Sequence, residues 1–273
     1  MNMFIKKPKR GGKARQAATP RARSGGAPAR PPSPRRGRPR GMTEQGAAAR
    51  RQLYETAIAL IASRGYEATT LRDIARQAGV SVGLLYRYFP SKHAVILALY
   101  DELSADYAAR AAAMPPGTWR ARFLFALTTS LGVLAAQRAT LAALTPVLVG
   151  TAEDGLFAPG TAFSRRRVQA VFVEAVRGAS DAPAPEDAAA LGRLLYVVHL
   201  AVILWWLFDK TPRQRATRDL LALLEGGLPM AALALRLDPA RNFVRAADIL
   251  CREGLFGDDD DPASVTGADK EEA

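Results

Sequence analysis

The sequence predicts an all-α protein in which a three-helix helix-turn-helix head precedes a larger helical domain. Three observations lead there. Residues 69–93 read as two short helices joined by a tight turn. From about residue 115 onward, Ala- and Leu-rich helical periods are separated by Pro and Gly, with no strand-like alternation. All of the excess positive charge lies before the head.

The elements follow in order. Leu53, Ala57, Leu60 and Ile61 fall at i, i+4, i+7 and i+8 and predict an amphipathic first helix that ends at Gly65. Thr70 is placed to cap the second helix, with Asp73 three residues on as its capping-box partner. Leu71, Ile74, Ala75 and Ala78 give that helix its buried stripe. Gly79 suits the left-handed residue that ends a helix, and Ser81 caps the third. The spacing Ala75, Gly79, Leu85 fits two helices crossing steeply, with bulk at Ala75 or Gly79 expected to push them apart. Leu85 and Phe89 are assigned to core. Ser91 caps a long fourth helix with Ile96, Leu99 and Leu103 on one face, closed by Pro115-Pro116-Gly117. Further helices are expected over 118–136, 138–149, 161–178, 185–208, 212–225 and 239–255. Gly226, Gly227 and Pro229 interrupt the penultimate pattern, leaving a shorter segment near 229–236.

The run Leu84-Leu85-Tyr86-Arg87-Tyr88-Phe89-Pro90-Ser91-Lys92, with Gly79 ahead of it, resembles the recognition helix and following cap of the TetR family of bacterial transcription regulators. The likeness covers roughly residues 50–103; beyond them the family shares architecture but little sequence. At His93-Ala94 this chain departs from the acidic residue that members often carry, and the first turn of helix four loses a favourable charge. The resemblance implies that Tyr86, Tyr88 and Lys92 contact phosphates. It implies that Thr69, Thr70 and Arg72 meet the backbone or a base. Gly83 and Leu84 occupy the exposed start of the recognition helix, where base edges are read. Neither has a polar side chain, so close backbone approach and contact to a thymine methyl replace hydrogen-bond readout.

Residues 1–42 hold thirteen of the 38 basic residues and no acidic one, leaving 25 to face all 26 acidic residues. The first 43 residues are too rich in Pro, Gly and Arg to bury a core and are expected to be a disordered basic arm that neutralises phosphate. Within it, Arg36-Gly37-Arg38-Pro39-Arg40 resembles an AT-hook core, and an extended Arg-Gly-Arg can lie in a narrow A·T-rich minor groove. Two other readings stay open: a generic solvated polycation, or translation starting at Met42 in place of Met1 or Met3. No apolar segment follows the basic start, so no secretory signal is expected. The acidic stretch 257–273 is expected to be a disordered tail.

These readings divide the chain into arm 1–43, DNA-binding head 44–92, effector-binding and dimerisation domain 93–256, and tail. The nearly continuous apolar stretch 194–208 falls short of the roughly 18–20 residues of a membrane span, and His199 interrupts it. It is expected to be buried from two sides, by the domain core and by a second subunit. The resemblance implies a homodimer through 185–208 and 212–225, which doubles one short recognition site into a palindrome. It also implies a small-molecule pocket. Phe123, Phe125, Thr128, Thr129, Phe163, Phe172, His199 and Trp205 are the candidates for its wall, whose apolar character points to an aromatic or acyl effector. Arg165-Arg166-Arg167 reads as a solvated face that can also bind an anion.

Catalysis is not expected. Two His and one Cys assemble no metal cluster of standard spacing, no cofactor motif is present, and Cys251 reads as a packed thiol. A lone Cys, permitting no intramolecular disulfide, fits a cytoplasmic, nucleoid-associated protein. The expected function is that of a ligand-responsive dimeric repressor on double-stranded DNA. The alternatives are an activator, an architectural protein of A·T-rich DNA acting through the arm, and a protein whose helical domain docks a partner.

Overall fold

A computed structural model describes residues 44–150 and 155–257. The basic arm with Arg36, Arg38 and Arg40 lies outside the described residues, as does the acidic stretch from 258 onward. Every regular element among the described residues is helical: α1 (Glu44–Arg64), α2 (Leu71–Gln77), α3 (Val82–Tyr88), α4 (Lys92–Ala111), α5 (Trp119–Leu134), α6 (Arg138–Gly150), α7 (Ala162–Arg177), α8 (Pro185–Phe208), α9 (Arg215–Ala234) and α10 (Asp238–Cys251).

In the head, local chemistry sets each boundary. The Asp73 amide donates to Thr70 Oγ1 (3.1 Å) and the Thr70 amide to Asp73 Oδ2 (3.2 Å), completing the capping box. Ser81 accepts from the Leu84 amide and Ser91 from the Ala94 amide, starting α3 and α4. Gly79 ends the α2 segment at φ +68°. The expected steric role of Gly79 is corrected: a β-carbon there meets nothing within 4 Å, so its backbone conformation is what requires glycine. Ala75, 1 % exposed, does sit in the packed crossing.

The core of the head is not closed on itself. Leu53, Ile61, Ile74, Leu85, Phe89 and Ile96 form one buried cluster with Leu141, Leu144 and Val147 of α6 and with Trp206 and Leu207 of α8. A second cluster, around Tyr107, Phe123, Phe172 and Tyr196, joins α4, α5, α7 and α8. Between α7 and α8 the approach is so close that a β-carbon on Gly192 would lie 2.5 Å from Val173 Cα and 3.0 Å from Phe172 O. Buried Arg122 ties α5 to the end of α7, donating to Ala175 O (3.0 Å) and Glu174 O (3.1 Å). Ion pairs pin α10 on α8: Arg193 Nε to Asp248 Oδ1 at 2.7 Å, and Arg245 to Asp187.

Several expectations change here. The break at Gly226, Gly227 and Pro229 does not occur; α9 runs through all three. Leu220, Leu221, Leu224, Leu228, Ala232 and Leu235 keep a helical stripe packed on the second cluster, so burial overrides the local helix-breaking preferences. The last helix ends at Cys251 and passes into one wider turn, Arg252–Phe256, that buries Phe256. Helix α8, at 24 residues, is long and apolar enough to cross a membrane by length and composition, contrary to the shorter reading of its apolar stretch. In this fold α7 and α10 cover much of it, while Asp187, Arg193 and His199 on it are hydrogen-bonded within the chain. Its exposed large apolar residues lie at its C-terminal end, at Leu204, Trp205 and Phe208. A longer exposed stripe lies on α9 and just beyond it, where Leu223, Met230, Leu233 and Leu237 are each more than half exposed.

Candidate nucleic-acid interface and ligand cavity

Along α3 the side chains divide by face. Leu85 (0 % exposed) points into the core, while Gly83, Tyr86 and Arg87 are exposed and Leu84 is partly so. Tyr88 is half-buried and packs against the head's core. Thr70 and Arg72 at the start of α2 are exposed on the same helix-turn-helix unit. Asp73 is engaged there: the Thr70 hydroxyl beside it holds its carboxyl below the usual range, and Arg76 pairs with it. Arg72 and Arg87 have no ion pair or hydrogen bond among the described residues, which leaves both guanidinium groups available to phosphate. Arg87 was not singled out from the sequence, although a basic residue between two tyrosines on the recognition helix is a readable signal.

Two expected contacts sit differently. Thr69 is 1 % exposed; its hydroxyl donates to Gly65 O (2.8 Å) and its amide to Tyr66 O (3.2 Å). Both polar groups are consumed in closing the α1–α2 link, so Thr69 is corrected from a DNA contact to a structural residue. Lys92 Nζ donates to Tyr66 O at 2.8 Å and lies 4.2 Å from the centre of the Tyr66 ring. A lysine has three donors, so this contact orients the ammonium and leaves donors for a phosphate.

In the second part of the chain a cavity of about 410 Å³ opens between α4, α6, α7 and α8. One wall is a face of α4, with Tyr100, Leu103, Ser104 and Tyr107 at helical spacing. A second comes from α8, with Tyr196, His199, Leu200 and Ile203, and Leu141, Thr145 and Leu148 of α6 complete it. Of the residues expected to line a pocket, only His199 does so. Phe123 and Phe172 stand behind it as core, their ring centres 6.0 Å apart and the Phe172 ring 4.7 Å from His199. Thr128 and Phe125 border a separate surface groove between α5 and α9, and the Thr128 hydroxyl donates to Leu124 O (2.8 Å). Phe163 and Trp205 are 41 % and 50 % exposed and outside the cavity. The other residues expected in the wall lie on faces that point elsewhere; the α4 spacing 100, 103, 104, 107 is the sequence signal for the wall.

The cavity wall is mostly apolar but holds specific polar groups. Ser130 Oγ lies 2.7 Å from His199 Nε2, and burial pushes the imidazole pKa down to about 3, so it is neutral at physiological pH. The arginine run is not a solvated face. Arg165 is 3 % exposed and reaches Leu156 O and Phe256 O at 3.4 Å, while Arg167 bonds Asp101 Oδ1 and Ser104 Oγ, each at 2.8 Å; only Arg166 is exposed. Among the described residues no cluster of three or more potential metal ligands occurs.

Residues 53–99 match the family described as bacterial regulatory proteins, tetR family. The chain is 31 % identical over 170 residues to the HTH-type transcriptional repressor KstR of Mycolicibacterium smegmatis, covering 62 % of this chain and 79 % of that protein. With KstR of Rhodococcus jostii the identity is 46 % over 54 residues, covering 19 % of this chain and 26 % of the relative, so that likeness spans a short segment only. A tetR-family transcriptional regulator from Streptomyces coelicolor shares the fold, with a TM-score of 0.51 at 20 % identity over 81 % of this chain and 94 % of that one. So does FadR from Bacillus subtilis, solved in complex with stearoyl-CoA, with a TM-score of 0.51 at 19 % identity over 65 % and 98 % of the two chains. The head's motif, its capped helices and the extent of the KstR match agree: the chain belongs to the TetR family of DNA-binding transcription regulators.

Proposed function

We propose that this protein is a homodimeric repressor that holds a pseudo-palindromic operator and releases it when a small apolar effector occupies the cavity. The observation that carries the reading is that the cavity walls include α4 and α6, the helices that continue into the core of the head. The repressor names of the KstR relatives and the stearoyl-CoA held by FadR support the sign of regulation and the apolar class of effector.

In this reading 44–92 is the DNA-binding part and 93–256 the effector and dimer part, acting in the cytoplasm. Thr70, Arg72, Tyr86, Tyr88, Arg87 and Lys92 position the head on phosphates, and Gly83 and Leu84 meet base edges. The arm, through Arg36, Arg38 and Arg40, adds minor-groove contact and salt dependence. The second copy packs on the outward stripe of α9, with the exposed end of α8 beside it. That assigns less of α8 to the interface than expected from the sequence, because its own chain covers most of it.

Selection of bound fragments from sheared genomic DNA tests this, with the full-length protein beside a version starting at Met42. One shared pseudo-palindrome recovered by both is the expected result. Diffuse A·T-rich DNA recovered by the full-length protein alone would replace the repressor with an architectural protein. Tyr86→Phe should weaken the recovered operator roughly tenfold, by one charge-assisted phosphate hydrogen bond.

A further inference from the structure

Helix α10 turns its charges toward its own chain. All four of its charged side chains are in ion pairs there: Asp238 with Arg241, Arg241 and Arg245 with Asp187 of α8, and Asp248 with Arg193 of α8. Val244 and Cys251 pack on the second core cluster. The large apolar side chains that remain are outward: Phe243 is 73 % exposed, Leu250 69 % and Ile249 50 %. Phe243, Ala246 and Leu250 follow at i, i+3 and i+7 and form one stripe without a charged residue on it. A surface helix in water normally shows the opposite arrangement, and an exposed apolar patch of this kind marks a contact surface.

Position, area and charge indicate what covers it. The stripe adjoins the one proposed for the second copy: Leu237, the last exposed member of the α9 stripe, is the N-cap residue of α10. The chain bends by 113° between the two helices, so a partner seated on that corner touches both arms. A stable interface takes about 800 Å² from each partner, and fully burying a large apolar side chain removes on the order of 100 Å². The α9 stripe and the end of α8 offer seven such side chains, each 40–73 % exposed, which supply about half of what is needed. A lipid surface is a poor match, because helices that lie on it turn Lys and Arg toward the headgroups, and Arg241 and Arg245 are already paired.

We propose that the outward face of α10 is part of the contact between two copies of this chain, with Phe243 and Leu250 buried against the partner. The inference rests on the dimer reading and extends it from α9 around the corner to α10. An uncharged face of this kind matches itself across a two-fold axis, where every side chain is used twice.

Hydroxyl-radical labelling of the full-length protein reads both arms in the native chain, at concentrations well above and well below the dimer dissociation constant found by sedimentation. Met230 reports on α9, and Phe243 with Leu250 on α10. Oxidation at both is expected to fall severalfold on dimerisation. Protection of Met230 alone would overturn the α10 contact and leave the α9 dimer standing. Protection of Phe243 and Leu250 alone would support the α10 contact and overturn the α9 placement. A protein that stays monomeric, or that dimerises with neither arm protected, would overturn both. In a second measurement, Phe243→Lys combined with Leu250→Lys should weaken the dimer about a hundredfold, because both charges enter the interface twice. Both positions are more than two-thirds exposed, so the variant's helical circular dichroism should match wild type. An unchanged dimer dissociation constant would overturn the α10 contact.

Discussion

His199 lies among Phe172, Tyr107 and Tyr196, with Ser130 as its one hydrogen-bond partner among the described residues, and burial lowers its pKa from 6.5 to about 3. A histidine whose folded pKa is depressed binds its proton more readily in the unfolded chain. Its contribution to stability is therefore complete above the unfolded pKa and is lost as pH falls toward the folded one. Between about pH 6.5 and pH 5 this group alone should remove about 2 kcal/mol. Thermal denaturation across that range checks it: His199→Gln, which hydrogen-bonds without titrating there, should show a flatter profile than wild type. At this scale the sequence was most informative where chemistry is local. Thr70 with Asp73, Ser81 and Ser91 act within three residues of themselves, and all were legible as caps. Thr69 was misread because its role depends on the fold of the neighbouring link, which brings Gly65 O to its hydroxyl.

Two glycines make opposite demands on the elements they join. At Gly192 the backbone conformation is ordinary, but a β-carbon would enter the backbone of α7 at Val173. Backbone cannot rotate aside as a side chain can, so Gly192→Ala should force α7 and α8 apart and cost about 1–3 kcal/mol. At Gly79 there is space for a methyl group but a left-handed backbone, so Gly79→Ala should cost about 1–2 kcal/mol without repacking. Chemical denaturation separates the two: both lower the midpoint, but Gly192→Ala alone should also weaken binding of an apolar fluorescent dye in the cavity, because α8 carries one wall of it. The same contrast explains where element boundaries were legible. Capped starts and the Gly79 stop are written in adjacent residues. The continuity of α9 through Gly226, Gly227 and Pro229 is not, because it depends on Leu228 finding the second core cluster. Helix identity was readable from period; which face lines the cavity required knowing which helices meet.

For the whole molecule, the outward stripe of α9 and the path from cavity to head determine what a regulator can do. Leu223 and Leu233 are 73 % and 56 % exposed, so changing both to Lys removes little from the protomer's own core. If a second copy packs there, the double variant should sediment as a monomer. Its affinity for a palindrome should fall on the order of a hundredfold, while binding to a single half-site is unchanged. A variant that stays dimeric would move the interface elsewhere. In the proposed mechanism, coupling between ligand and operator would pass through α6 and α4. Leu141 lies both in the cavity wall and in the buried cluster that holds α1, and Tyr100 does the same for α4. If a ligand that spreads this wall favours one arrangement of the head over another, the resulting linkage must be reciprocal. Any ligand that weakens operator binding by a given factor must itself be bound more weakly, by the same factor, when operator is present. With coupling of the usual size, that factor is about 5–150. Titrating the ligand with and without a saturating operator duplex measures it from one side, and titrating the duplex with and without ligand measures it from the other. Matching factors are expected. A ligand whose affinity ignores the duplex would occupy the cavity without reaching the head, and the release mechanism would have to be abandoned.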